Sequence, residues 1–179
     1  TGSEEKQARI TLNLTRVNPA VGTAEVNSFG IKELLGRGVS TYLGSIPGRV
    51  HNVGLSAGRI SGVLVPPGET FSFNNTVGEV TEATGYKQAY VIRSGRTVLD
   101  DGGGVCQTST TLFRAVMDAG LPITERRAHS YRVGYYEQNA KVGLDATVFS
   151  PTTDFKFTND TPAHILIQSS VDAGNRRLT

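Results

Sequence analysis

Three consecutive glycines, Gly102-Gly103-Gly104, run directly into a segment with helical spacing, and this junction constrains the fold more than any other stretch of the chain. Over residues 105–119, Val105, Leu112, Val116 and Ala119 fall near one face of a helix, and Gly120 ends it. Asp100 to Gly104 reads as loop. Beyond Pro122 the apolar period changes from helical to two. Residues 123–133, 145–149, 155–158 and 163–171 read as four short strands, separated by Gly, Pro, Asn and Asp.

Before the glycines, residues 8–17 alternate like a half-buried strand. Asn27 or Ser28 can cap a short helix carrying Ile31, Leu34 and Leu35, stopped by Gly36 and Gly38. A further helix is expected from about Arg49 to Ile60, although Gly54 and Gly58 weigh against it. Pro66-Pro67-Gly68 is a turn, with a strand at Phe71-Ser72-Phe73. Tyr90 to Arg93 and Thr97 to Leu99 form a hairpin around Ser94-Gly95-Arg96. The expected fold is α+β: a central helix bearing the cysteine at its N-terminus, packed on a mainly antiparallel sheet.

The chain has 179 residues, enough for one domain that folds without disulfide or metal staples. Residues 39–179 form that domain, and 1–38 read as a leading arm or the tail of a preceding domain. Thr1-Gly2-Ser3-Glu4-Glu5 has linker character. A net charge of +2, with Lys and Arg scattered, argues against nucleic acid and leaves an anionic wall polymer open. No apolar run approaches the ~18 residues that span a bilayer, so membrane association is expected only through an anchor outside this sequence. One cysteine and three dispersed histidines show no metal-ligand spacing, and no cofactor is expected. The glycine loop lacks the Lys-Ser/Thr that completes a phosphate cradle.

The single cysteine, Cys106, stands where the helix begins. Unpaired N–H groups and the helix dipole favour the thiolate there. Glycines at 103 and 104 let backbone donors approach a developing oxyanion, and Gln107 is a further candidate donor. Thr108 and Ser109 are placed to cap the first turn or to bind substrate. The alternative is an ordinary buried thiol packed as a small hydrophobe. A reactive cysteine needs a base. Alternation through Arg127-Ala128-His129-Ser130-Tyr131-Arg132-Val133 puts Arg127, His129, Tyr131 and Val133 on one strand face. His129 is the candidate base, and Asp145, opening the next strand, is the candidate orienter of its ring. His51 and His164 are weaker candidates. Arg93, Arg126 and Arg127 are candidates for gripping a substrate carboxylate.

The stretch Val65-Pro66-Pro67-Gly68-Glu69-Thr70-Phe71-Ser72-Phe73-Asn74, the block from Gly102 to Leu112 (GGGVCQTSTTL) and Ala119-Gly120-Leu121 together resemble the VanW family. Glu125-Arg126, His129-Ser130-Tyr131 and Asp145-Ala146-Thr147-Val148 follow in that family's order, with Leu144 as a departure. The family is named for an accessory protein of vancomycin-resistance clusters, and the resemblance covers roughly residues 45–170. It implies extracytoplasmic work on peptidoglycan stem peptides, often beside a peptidoglycan-binding domain, and for some members L,D-transpeptidase activity. The expected chemistry is acyl transfer through a Cys106 thioester. Hydrolysis by the same nucleophile and a non-catalytic wall-binding module remain the alternatives.

Overall fold

The computed structural model describes residues 28–93 and 96–179. The strand expected over 8–17 lies outside them, as does the side chain of Arg93. Two 14-residue helices organise the rest: α1, Pro47–Ile60, and α3, Val105–Asp118. Pro47 opens α1, where its missing N–H costs nothing and its fixed φ suits a first turn. The inward face of α1 reads Arg49, Asn52, Val53, Ser56, Ala57 and Ile60, a helical stripe that is polar at one end and apolar at the other.

Helix α3 is buried nearly all round. Val105, Leu112, Phe113 and Val116 face an apolar core that also holds Phe71, Phe73, Phe155 and Phe157. Phe113 meets Phe155 edge to face at 5.8 Å. Burying a phenylalanine side chain contributes about 1.5–3 kcal/mol, so this aromatic cluster is a main source of stability. The other side of α3 is the buried polar run Gln107 to Thr111. Its hydroxyls act as clamps. Thr108 bonds Ser56 of α1 at 2.7 Å, and Thr111 bonds Ser40 at 2.6 Å. Ser109 donates to the Ala146 carbonyl at 2.7 Å, while the Ala146 N–H donates to Thr110 at 3.1 Å. A buried hydroxyl that finds its partner costs little, whereas one left alone is expensive, so these pairs fix α3 in one register.

Among the described residues the strands are short and antiparallel, in four small sheets rather than one. Strand β1, Ser40–Thr41, pairs with β10, Arg177–Leu178, which pairs with β9, Val171–Asp172. Strand β2, Leu64–Val65, pairs with β8, Ile165–Leu166. Strand β3, Thr70–Ser72, pairs with β7, Lys156–Thr158, and β7 with β6, Ile123–Glu125. The expected hairpin is β4, Gln88–Arg93, with β5, Arg96–Asp101. A short helix α2, Phe73–Val77, follows β3, and another, α4, Gly134–Glu137, follows the segment that carries His129.

The fold is α+β with α3 at its centre. Three local expectations change. Ile31, Leu34 and Leu35 lie in chain without helical or strand pairing and are exposed among the described residues, so the short apolar stripe is not drawn into a helix by burial. Asp100 and Asp101 belong to β5, so the loop shrinks to its glycines. The strands expected over 123–133 and 145–149 reduce to β6 and two single bridges, Arg127 with Thr147 and Phe149 with Thr153.

Candidate active site

The turn into α3 is built by glycine. Gly104 has φ +115°, a conformation that side chains avoid, and it precedes the first helical residue. Gly103 lies flat on β4; a Cβ there would come within 2.7 Å of the Ala89 and Tyr90 backbone. Asn52 of α1 holds the loop from behind, donating to the carbonyls of Gly103 at 2.9 Å and Lys87 at 2.7 Å. Within the turn, Val105 N–H bonds Gly102 O at 3.0 Å and Gln107 N–H bonds Gly104 O at 2.8 Å. These bonds commit two backbone donors and leave Cys106 fixed in the first turn.

Cys106 is partly buried, and its Sγ faces the 147–148 segment. The Val148 N–H donates to Sγ at 3.5 Å, and the Thr147 hydroxyl lies 3.8 Å away. His129 lines the same cleft wall, and its ring lowers the pKa of the sulfur. Asp145 completes the chain of contacts: its Oδ2 sits 2.5 Å from His129 Nδ1 and also accepts the His129 backbone N–H at 2.8 Å. With Nδ1 engaged by the carboxylate, Nε2 is the ring nitrogen left for the sulfur. Arg126 holds Asp145 in turn. Its Nε donates to the Asp145 carbonyl at 2.8 Å, its Nη2 stands 3.6 Å from Oδ1, and its guanidinium lies over the Phe113 ring.

These contacts set the charges. Burial by itself raises the Cys106 pKa, but the hydrogen-bonded and charged His129 ring, the Val148 N–H and the Thr147 hydroxyl together bring it below the ordinary thiol value. Burial likewise disfavours the imidazolium, yet Asp145 and the sulfur raise the His129 pKa to about 9. Asp145 is disfavoured by burial too, and the His129 side chain and backbone N–H, with Arg126, hold its carboxyl below the usual range. The shifts run toward a thiolate, an imidazolium and an ionised aspartate.

The pair opens on a cleft of about 1070 Å³, whose wall includes Arg49, Tyr90, Cys106, His129, Tyr136 and Phe149. Arg49 is buried, only 5% exposed. Its Nη2 donates to Gln107 Oε1 at 2.8 Å, its Nη1 to Ser45 Oγ at 2.9 Å, and its guanidinium lies 4.0 Å from the centre of the Tyr135 ring. Tyr136 is buried against His129, ring centres 4.9 Å apart. Burial and the neighbouring Cys106 charge drive the Tyr136 pKa far up, with Arg49 offsetting part of this, so the phenol stays protonated.

The chain matches a family model described as "VanW like protein" over residues 48–179. The chain belongs to the VanW family. A Bacillus subtilis (strain 168) relative, the uncharacterized protein YoaR, is 42% identical over 145 residues, which is 81% of this chain and 46% of the relative. The Enterococcus faecalis vancomycin B-type resistance protein VanW is 34% identical over 126 residues, 69% of this chain and 46% of the relative. The chain thus spans just under half the length of these curated relatives. No solved structure matches it.

The VanW-family fold brings Cys106, His129 and Asp145 together and separates them from the other residues singled out in the sequence. Gln107 cannot reach an oxyanion with its side chain: the amide is fully buried, bonded to Arg49 and to Thr41 O at 3.3 Å. Thr108 and Ser109 neither cap nor face substrate, because Ser56 and Ala146 bind them. Arg127 and Tyr131 are exposed outside the cleft. The irregular chain after residue 127 breaks the alternation that would have aligned them with His129. Arg126 grips Asp145 rather than a substrate. His51 bonds the Gly85 carbonyl at 2.8 Å, and His164 packs on Phe29 at 4.6 Å, both away from the cleft. Sequence reading missed Arg49, Tyr135 and Tyr136. For Arg49 a signal existed: it shares the helical face of Val53, Ala57 and Ile60, where a cation is out of place unless it serves a site.

Proposed function

We propose that this domain transfers peptidoglycan stem peptides through a Cys106 thioester, an L,D-transpeptidase-like reaction carried out extracytoplasmically. The observation that carries the proposal is Cys106 and His129 on one cleft wall, with Asp145 bonded to the His129 ring. VanW-family membership supports the choice of a cell-wall substrate. The Cys106 thiolate attacks the carbonyl carbon of the third stem residue. A tetrahedral oxyanion forms, and the backbone N–H groups of the Gly104 to Gln107 turn not engaged within it, those of Gly104 and Cys106, are the donors proposed to receive it. Each such donor contributes about 3 kcal/mol in related acyl transfers.

As the carbon–nitrogen bond to D-Ala breaks, His129 gives its Nε2 proton to the departing amine, and the acyl group stays on sulfur. The amine of a neighbouring stem then attacks the thioester carbonyl and passes a proton to His129. Sulfur leaves as thiolate, and the imidazolium is restored. Asp145 keeps the ring oriented and stabilises its charge throughout. The cleft is at the upper end of the usual range for ligand pockets, large enough for a short peptide.

Incubation with a stem tetrapeptide, followed by intact-mass measurement, tests the reading. An acyl adduct on Cys106, absent from Cys106→Ala, together with cross-linked dimers when an acceptor amine is added, is the expected result. Shortened stems without dimers would mean that water resolves the thioester. No adduct with any stem peptide would remove the proposal.

A further inference from the structure

Asn52 is a fully buried amide on α1 that hydrogen-bonds backbone on both sides of the turn into α3. Its Nδ2 donates to Lys87 O at 2.7 Å and to Gly103 O at 2.9 Å, while its Oδ1 accepts the Lys87 N–H at 2.8 Å. Toward Lys87 the amide acts as a neighbouring strand would, taking the N–H and the C=O of one residue. That pair of bonds fixes which end of the amide is nitrogen. The second N–H is thereby committed to Gly103.

The bond to Gly103 controls the direction of a peptide. The Gly103–Gly104 link is trans, so its C=O and its N–H point to opposite sides. With the Gly103 oxygen held on Asn52, the Gly104 N–H points away from Asn52, and both glycines line the cleft. Among the described residues no backbone carbonyl takes that N–H, whereas those of Val105 and Gln107 are taken within the turn.

A peptide between two glycines turns over easily, since neither residue has a Cβ to bar either sign of φ. A flip would exchange the N–H for a carbonyl oxygen. The Ala89 and Tyr90 backbone fixes where Gly103 lies, because a Cβ there would come within 2.7 Å of it. Packing of that kind does not choose between the two orientations. A donor on the oxygen does.

We propose that Asn52 is a positioning residue for acyl transfer, locking the Gly103–Gly104 peptide with its N–H toward the cleft to receive the oxyanion. This deepens the acyl-transfer reading and rests on it for the nucleophile, though not for the stem peptide as donor. When the Cys106 thiolate attacks an ester carbonyl, the carbon–sulfur bond forms and the carbonyl π pair moves to oxygen. That pair returns as the bond to the leaving alkoxide or phenolate breaks. An N–H facing the oxygen stabilises the charge, and a flipped carbonyl would repel it.

The test sets two reactions of one sulfur side by side in the full chain. Alkylation by iodoacetamide passes through no oxyanion and reads the thiolate alone. Acylation by p-nitrophenyl acetate, followed as released p-nitrophenolate, passes through the tetrahedral oxyanion. Asn52→Ala should slow acylation by at least about tenfold, while alkylation stays within about twofold and keeps its pH inflection. Asn52→Ser, which leaves a hydroxyl and room for water, should lose less and serves where Asn52→Ala does not fold. Acylation and alkylation falling together would make Asn52 a brace for Cys106 and overturn the inference. An unchanged acylation rate, a wild type alkylated but not acylated, or loss of fold in both variants would overturn it too. Selective loss with the ester, in a chain that takes no acyl group from a stem tetrapeptide, would keep the inference and sink the stem-peptide reading. Acylation by the stem peptide at an unchanged rate in Asn52→Ala would do the reverse.

Discussion

Cys106 and the five residues after it are neighbours in sequence and opposites in role. Cys106 turns toward the cleft among groups that carry charge: His129, Asp145 and, beyond them, Arg49. Gln107 to Thr111 turn inward, each bonded to a partner on α1, β1 or the 145–147 segment, and only Gln107 meets a charge, that of Arg49. The first set is costly to assemble, since burial resists the charged forms of Cys106, His129 and Asp145, and their neighbours shift each toward its charged form. The second set has satisfied hydroxyls whose work is to lock the helix. A polar motif of this kind therefore divides within one helical turn into a reactive part and a clamp.

Substitutions that separate the two parts sharpen the contrast. Cys106→Ala should lower acyl transfer by about 10⁴-fold or more while the denaturation midpoint barely moves, because the sulfur is a nucleophile before it is a packing group. Steady-state rates beside thermal unfolding check this. Asp145→Asn should lower the rate by about 10²–10⁴-fold, since the amide neither holds the ring in place nor stabilises the imidazolium. It should also move the pH of Cys106 alkylation upward. The clamp should respond the other way. Ser109→Ala leaves the Ala146 carbonyl with a weaker partner, costing about 1–2 kcal/mol of stability by chemical denaturation, with the rate within about threefold. A large loss of rate at unchanged stability would merge the two parts.

The smallest effect concerns acid. Asp145 has its pKa lowered by folding, so its contribution to stability is complete above the usual carboxylate value and disappears as pH falls below it. Unfolding midpoints between pH 6 and pH 3 should fall more steeply for the wild type than for Asp145→Asn.

Much of this was legible in the residues. Helix α3 announced itself because glycine and helical period gave the same boundary, and the order Cys106, His129, Asp145 named three side chains that the fold does bring together. The strand faces were less legible. Alternation through 127–133 has meaning only if a neighbouring strand pairs along it, and only a single bridge at Arg127 forms. The clamp could not be read either. Hydroxyls beside a cysteine look like substrate contacts until the carbonyl of Ala146 and the hydroxyl of Ser56 are seen opposite them. Arg49 lies 57 positions before the cysteine and meets it only through the packing of α1 on α3.

The central claim is that Cys106 stands as a thiolate against the His129 imidazolium. Its rate of reaction with iodoacetamide, followed against pH, measures this directly. The account predicts an inflection well below the ordinary thiol value of about 8.5, moving up toward that value in His129→Asn. An inflection at or above the ordinary value, indifferent to His129→Asn, would contradict it.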